Sequence, residues 1–429
     1  MPRRNLYWVL AVSVAALVCY QKVQQFRYGR ILVDAMDQVQ RRALEEVDES
    51  DLFEGAMQGM MHKLGDRYSE YLPPKKQQEM NAELDQQFGG LGIEIAGPPQ
   101  TKQLQVIVPL PGTPAARAGI RSGDTIVRID DRDTQGMAVN EAADLMRGEA
   151  GTKVTLTVLH EGDKEPVKIE LVREVIHVES VQGDARNADG SWNFFLAGKN
   201  RIGYIRIRHF GKDTGAELKE ALNGLAARGM RGLVLDLRDN PGGLLSAAVE
   251  VCNQFIAEGT IVTIQRRDGR PASPPFEADG KGTFLDFPLA VIVNGESASA
   301  SEIVAACLQD NQHRAKIVGQ RTFGKGTVQE ILELAHGTGA LKLTTARYGR
   351  PNGKNINRGK NDKEGDEWGV QPDDGCRAVI EPENYIKLKM QRLRRDINKR
   401  NGTPPAGNDE TIVDTQLNRA VEVVEEALE

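Results

Sequence analysis

The stretch that most constrains this chain begins with the apolar run Leu289–Val293. Five consecutive apolar residues, rich in β-branched side chains, have the length of a strand buried on both faces. Small and polar residues follow at Asn294, Gly295, Glu296, Ser297, Ala298 and Ser299. A helical pattern then carries apolar residues at Ile303, Val304, Ala306, Cys307 and Leu308. The same order recurs upstream. Strand patterns at residues 202–207 and 232–237 are each followed by a helical pattern, at residues 213–228 and 244–255. Further strand patterns lie at residues 260–264 and 315–318. Alternating strand and helix argues for right-handed crossovers and a largely parallel sheet.

The chain is longer than this region requires. At 429 residues it exceeds one ordinary core, so two or three domains are expected. Its 40% hydrophobic and 27% charged content is that of a folded globular protein. A net charge of -6 without a basic excess speaks against nucleic acid as a partner. The four cysteines, Cys19, Cys252, Cys307 and Cys376, show no metal-ligand spacing, and no metal is expected. Cys252 and Cys307 sit in apolar helical patterns and read as buried free thiols.

The N-terminus places Arg3 and Arg4 before a charge-free run at residues 6–20. Positive before apolar is the pattern of an export signal or a short signal anchor. The run is shorter than the ~20 residues of an average spanning helix. No small-x-small cleavage site follows it, which favours an uncleaved membrane anchor with the body outside the cytoplasm. Residues 28–85 read as helical, a scaffold or dimer arm, broken at Pro73-Pro74.

From Phe88 the pattern changes to short strands and two short helices over about 85 residues. GGLGIEI opens this part and GTPAARAGIRSGDTIVRID continues it. The pattern resembles a PDZ domain. The resemblance implies capture of a peptide C-terminus as an added strand beside Ile93 and Ile95, with its carboxylate held by amides in the loop Gly90, Leu91, Gly92, Ile93. A linker-like stretch at residues 181–191 separates this part from the second α/β region. Residues 350–368 read as a flexible loop near the site. Residues 385–400 form a basic helix, and an acidic amphipathic helix at residues 409–429 ends the chain.

A serine hydroxyl needs a base. None of the six histidines stands in a protease-like setting, and there is no GxSxG elbow. Lys325, between Gly324 and Gly326, can serve if neutral, since burial lowers a lysine pKa by up to ~3–5 units. Gln329 lies four residues on, on the same side as Lys325 if the segment is extended. Ser297, Ser299 and Ser301 all compete for the nucleophile. Ser299-Ala300-Ser301-Glu302 is also a capping box, and a helix start offers N–H groups to an oxyanion. Ala300 could supply one such amide and the turn Asn240-Pro241-Gly242-Gly243 another. Asp236, Arg238 and Asp239 read as structural pairing and turn residues.

The set DLRDNPGGLL, NGESASASEIVAACLQDN, RTFGKGTVQ and GVQPD closely resembles the carboxyl-terminal processing proteases, also called tail-specific proteases. That resemblance covers nearly the whole chain. It implies a multidomain α/β protein with a crotonase-like core of ββα repeats, an inserted PDZ domain and helical N- and C-terminal regions. The implied boundaries are a signal segment at 1–27, a helical region at 28–87, the PDZ domain at 88–174, the protease core at 175–384 and a helical tail at 385–429. By motif position the nucleophile is Ser299, the base Lys325 and the lysine-supporting amide Gln329. The oxyanion donors are Ala300 and a glycine of the pair Gly242 and Gly243. No cofactor is implied. Protein or peptide substrates with free C-termini, a bacterial periplasmic or cell-envelope location and a homodimer are expected. One departure is an extra residue in Asn311-Gln312-His313-Arg314, expected to enlarge a turn. Two other readings compete, a PDZ adaptor with an inert core and crotonase-type acyl-CoA chemistry.

Overall fold

The computed structural model describes residues 13, 27–97, 103–187, 191–199, 201–398 and 412–429, with side chains described up to Arg392 and again from Ile412. The expected signal segment lies almost wholly outside the described residues. No described helix is long and apolar enough to cross a membrane. The chain divides into two compact units. One comprises Met1–Gln77 and Gln329–Thr344, the other Gln78–Val328 and Thr345–Glu429.

In the smaller unit, helices Arg27–Arg42 and Glu49–Lys63 precede a short strand, Glu70–Leu72. Asp48 caps the second helix by accepting from the Ser50 amide. The strand pairs antiparallel with residues 340–342, from Glu70 opposite Lys342 to Leu72 opposite Ala340. Helical periodicity upstream conceals this strand, which is only three residues long.

In the larger unit the PDZ part is a six-stranded antiparallel sheet closed on its own core, with Ile126, Ile129, Leu156 and Val158 fully buried. The chain enters it along strand Gln87–Gly90 and leaves along Glu174–His177. These two strands pair antiparallel, so the insertion's ends meet in one ribbon.

The second α/β region is built on a five-stranded sheet. Val181–Gln182 lies at one edge, antiparallel to Ile202–Ile207. Gly232–Asp236, Leu289–Val293 and Lys316–Gly319 continue it in parallel. Residues 181–191 therefore are not a linker. They supply that edge strand and one arm of a second ribbon, Ala185–Arg186 with Trp192–Asn193. Strand alternation sends neighbouring side chains to opposite faces. Val291 and Val293 pack toward helices Thr214–Ala227, Leu245–Phe255 and Ala300–Asp310, whereas Ala290 and Ile292 face the other way.

That other face is covered by the C-terminal helix Thr415–Glu426 through Ala420, Val421 and Val424. This helix is a layer of the core, not a tail appended to it. Gly232 makes room for it, because a Cβ there would stand 2.3 Å from Val424 Cγ1. The extra residue after Asp310 is taken up in a turn, where Gln312 and His313 both adopt positive φ. The next strand keeps its register, with Val293 opposite Gly319. Cys252, Cys307 and Cys376 are buried free thiols.

Candidate active site

Ser299 closes the turn after Leu289–Val293 and starts the helix Ala300–Asp310. Its φ of 55° and ψ of -113° are unfavourable for a residue with a Cβ. The neighbouring serines are fully engaged. The Ser297 hydroxyl donates to the Leu237 carbonyl at 2.8 Å and accepts from the Asn294 amide. The Ser301 hydroxyl donates to the Asn240 carbonyl at 2.9 Å. The Ser299 side chain instead meets the buried phenol of Tyr348, whose pKa burial pushes up to about 12. Of the three candidates, only Ser299 keeps its hydroxyl off the backbone carbonyls of the turn.

Glu302 organises the site, and the sequence suggested only half of its role. Its carboxylate accepts from the Ser299 amide at 2.9 Å, which is the capping-box contact. It also accepts from Thr322 Oγ1 at 2.6 Å, the Gly324 amide at 2.7 Å and the Lys325 amide at 2.8 Å. The group is fully buried. Burial raises its pKa to about 6 against the opposing pull of those donors. A carboxylate three residues into a helix would not announce this reach in sequence, because its other partners lie about twenty residues downstream.

The lysine loop is held from its far side. A Cβ on Gly324 would stand 2.8 Å from Arg358 Cβ and from the Trp368 ring. One on Gly326 would stand 2.4 Å from the Asn357 amide nitrogen. The glycines flanking Lys325 thus allow close packing against residues 356–368. The loop at residues 350–368, expected to be flexible, is anchored over this part. Trp368 is buried with the guanidinium groups of Arg321 and Arg358 at 4.2 and 4.4 Å from its ring centroid. The Arg358 amide donates to the Gly324 carbonyl. The motif GVQPD adds two ties. Val370 donates to Thr322 Oγ1, and Asp373 accepts from the Ile317 amide. Tyr348 donates its amide to the Gly326 carbonyl at 2.8 Å, linking the lysine loop to the serine.

The expected oxyanion residues separate. Ala300 is the first helical residue after Ser299. Gly242, at φ 106°, lies against the serine, with its Cβ position 2.8 Å from Ser299 Cβ. Its amide donates to Asn240 Oδ1 at 2.9 Å, so it is already engaged. Gly243 faces elsewhere. Its Cβ position is 2.2 Å from the Phe210 carbonyl, a strand approach that only glycine permits. Gln329 belongs to strand Thr327–Glu333, where its side-chain amide donates to Thr344 Oγ1 at 3.2 Å.

Asp236 and Arg238 are structural, as expected. Arg238 bonds Asp236 at 2.6 Å and Asp414 at 2.9 and 3.0 Å. Asp414 in turn caps the C-terminal helix at Leu417. This buried network holds the Asp236 carboxyl well below the usual carboxylate range despite desolvation. Asp239 joins Asn294 and the Tyr385 hydroxyl.

In the PDZ part, strand Ile93–Ala96 is the edge of its sheet, paired on one side with Leu104–Pro109. Gly92, at φ 71°, places its Cβ position 2.4 Å from the Thr113 side chain, and its carbonyl accepts from the Leu110 amide. Leu91 is buried and its carbonyl accepts from the Ala115 amide, whereas Gly90 pairs with Glu174 in the entry ribbon. Leu91, Gly92 and Ile93 thus form the loop and strand start expected to receive a peptide.

A strained serine at a strand-to-helix turn, beside a glycine-flanked lysine and a PDZ domain, defines a serine-type peptidase with a peptide-recognition module. Family models match accordingly. Peptidase family S41 matches residues 201–374, a PDZ domain residues 105–159, and the activating protease CtpB N-terminal domain residues 21–76. The carboxy-terminal-processing protease of Bartonella bacilliformis is 34% identical, over 99% of this chain and 96% of its own. The carboxyl-terminal-processing protease of Synechocystis sp. is 37% identical, over 74% and 70%. A putative S41 protease from Bacteroides fragilis, at 15% identity and a TM-score of 0.51, shares the fold over 91% of this chain and 97% of its own. The chain belongs to the carboxyl-terminal processing proteases of peptidase family S41.

Proposed function

We propose that this peptidase cleaves through a Ser299/Lys325 dyad and an acyl-enzyme, acting on proteins whose free C-termini dock on its PDZ domain. The observation that carries the reading is the shared attachment of both backbones to Glu302, together with a Ser299 hydroxyl that, unlike those of Ser297 and Ser301, donates to no carbonyl of the turn. Neutral Lys325 takes the hydroxyl proton as Ser299 Oγ attacks the scissile carbonyl. The tetrahedral oxyanion is met by the Ala300 amide and by the Gly242 amide, which exchanges its Asn240 partner for the substrate oxygen. Collapse returns the proton to the leaving amine, and water deacylates the enzyme by the reverse path. Gln329 is assigned to the orientation of the lysine amine by sequence resemblance.

The edge strand Ile93–Ala96 supports docking of the tail by strand addition. The crotonase-like reading of the core belongs to the same proposal. A second sheet, in which Thr260–Arg266 pairs with residues 346–349, supports it. An anchored, extracytoplasmic placement rests on the arginines and apolar run of residues 3–20. A homodimer is supported by the uncovered apolar residues Ile31, Leu32 and Val33 of helix Arg27–Arg42.

Cleavage of an unstructured peptide by purified Ser299→Ala and Lys325→Ala proteins tests the dyad. Both are expected to be inactive while retaining the circular dichroism of the parent. Full activity of Ser299→Ala would refute the assignment.

A further inference from the structure

Away from the serine, a cavity of about 320 Å³ opens between the PDZ sheet, the first long core strand and helix Pro382–Asn398. Its apolar wall includes Ile107 and Leu388. Its polar wall is cationic, with Arg206, Arg208, Lys389 and Arg392, against a single carboxylate, Glu94. The acids behind the wall are heavily engaged. Asp239 serves Tyr385 at 2.9 Å, Asn294 at 3.0 Å and Lys389 at 3.1 Å, with Arg206 at 4.0 Å. Arg392 shares Asp236 and Asp414 with Arg238. Two cationic groups remain undersupplied. Arg206 Nε is buried with no hydrogen-bond partner. Arg208, among the described residues, has no carboxylate within ion-pair distance, Glu94 and Asp239 being its acidic neighbours at longer range.

We infer that this cavity binds a small carboxylate carrying an apolar body. A buried guanidinium N–H without an acceptor leaves a desolvation cost unmet. A planar carboxylate matches the arginine fork in two parallel hydrogen bonds. The apolar wall would receive the remainder of such a ligand, a feature that a bare inorganic anion would not use. The inference stands apart from the Ser299/Lys325 dyad, neither member of which lines the cavity, and it shares only Glu94 with the docking strand Ile93–Ala96.

Isothermal titration calorimetry on the full chain tests it with benzoate as the probe and benzamide as its uncharged analogue. Benzoate is expected to saturate one site, with benzamide at least tenfold weaker. Arg208→Gln and Glu94→Gln alter exposed side chains and leave the core untouched. The first is expected to weaken benzoate about tenfold with peptide cleavage unchanged, and the second to tighten benzoate severalfold. Absence of saturable benzoate binding, equal binding of benzamide, or identical affinities in both variants would overturn the site. Displacement of benzoate by inorganic phosphate at lower concentrations than benzoate itself requires would overturn its assignment to carboxylates.

Discussion

Ser299 and Lys325 donate their backbone amides to the same oxygen of Glu302, at 2.9 and 2.8 Å. The two nitrogens therefore lie within two hydrogen-bond lengths of each other, although 26 positions separate them in the chain. The helix start and the lysine loop cannot part without stripping a buried carboxylate of its donors. Glu302→Gln retains the shape but turns an NH2 group toward backbone N–H groups. A loss of about 2–3 kcal/mol in transition-state stabilisation is expected, roughly two orders of magnitude in kcat/KM. Steady-state cleavage of a fluorogenic peptide measures it, and parental activity in this variant would refute the role.

The same carboxyl sets a pH dependence with opposite signs for activity and stability. Its pKa is raised from 4.5 to about 6. The ionised form accepts all four donors, so activity is expected to fall as pH drops through about 6. The folded state binds the proton more tightly than the unfolded state. This group's contribution to stability is therefore greatest below about 4.5 and declines as pH rises to about 6, by about 2 kcal/mol. Urea titrations of the parent and Glu302→Gln across this range would isolate the difference. A parent curve parallel to that of the variant would count against it.

Ser299 bears strain of roughly 1–3 kcal/mol from its positive φ. Ser299→Ala keeps the Cβ and the strain, and Ser299→Gly releases it. Both are expected to be inactive, with the glycine variant about 1 kcal/mol more stable toward urea than the alanine variant. Equal midpoints would show that the turn relaxes on its own.

Tyr348 couples the two halves of the site, with its hydroxyl at Ser299 and its amide on Gly326. Tyr348→Phe keeps the backbone bond and the packing while removing the hydroxyl. A hydrogen bond of about 1 kcal/mol corresponds to roughly fivefold in kcat, with KM and melting temperature close to the parent values. Stopped-assay kinetics over a range of peptide concentrations would separate the two constants.

Arg238 is the buried clasp between the parallel sheet and the start of the C-terminal helix. Arg238→Ala leaves the fully buried Asp236 with only Arg392, at 3.6 Å, and the Tyr204 hydroxyl, at 2.6 Å, as side-chain partners, and a destabilisation of about 3 kcal/mol is expected. Differential scanning calorimetry of full-length protein measures it. A shift of less than a degree would place the helix anchor elsewhere.

Much of the candidate site was legible as sequence. Apolar runs with β-branched residues marked the parallel strands, and a serine followed three residues later by glutamate marked a helix start. Glycines around Lys325 marked a close approach. Such signals are local: each depends on the period of a strand or helix, or on the freedom of glycine, within a few residues. The extra residue before Ala315 was also readable as a larger turn, because the motifs on either side were intact.

Local signals also misled where tertiary contacts outweighed them. Residues 181–191 look like a linker because two-residue strands carry no period, yet partners at Arg206 and Ile207 recruit them. The segment at 350–368 is rich in glycine and polar residues, yet Trp368, with the Arg321 and Arg358 guanidinium groups on its ring, holds its end.

By itself the sequence determined the succession of strands and helices, the PDZ insertion, and the serine, lysine and glycines from which a peptidase of this family is made. The tertiary structure alone decided which hydroxyls among Ser297, Ser299 and Ser301 are tied to carbonyls of the turn, and which glycine of the pair faces Ser299. It also made Glu302 the joint of the site and the C-terminal helix the second layer of the core. The physical reason is that periodicity and turn chemistry act between near neighbours. A buried carboxylate or an apolar sheet face, in contrast, must be satisfied by whatever the fold brings to it.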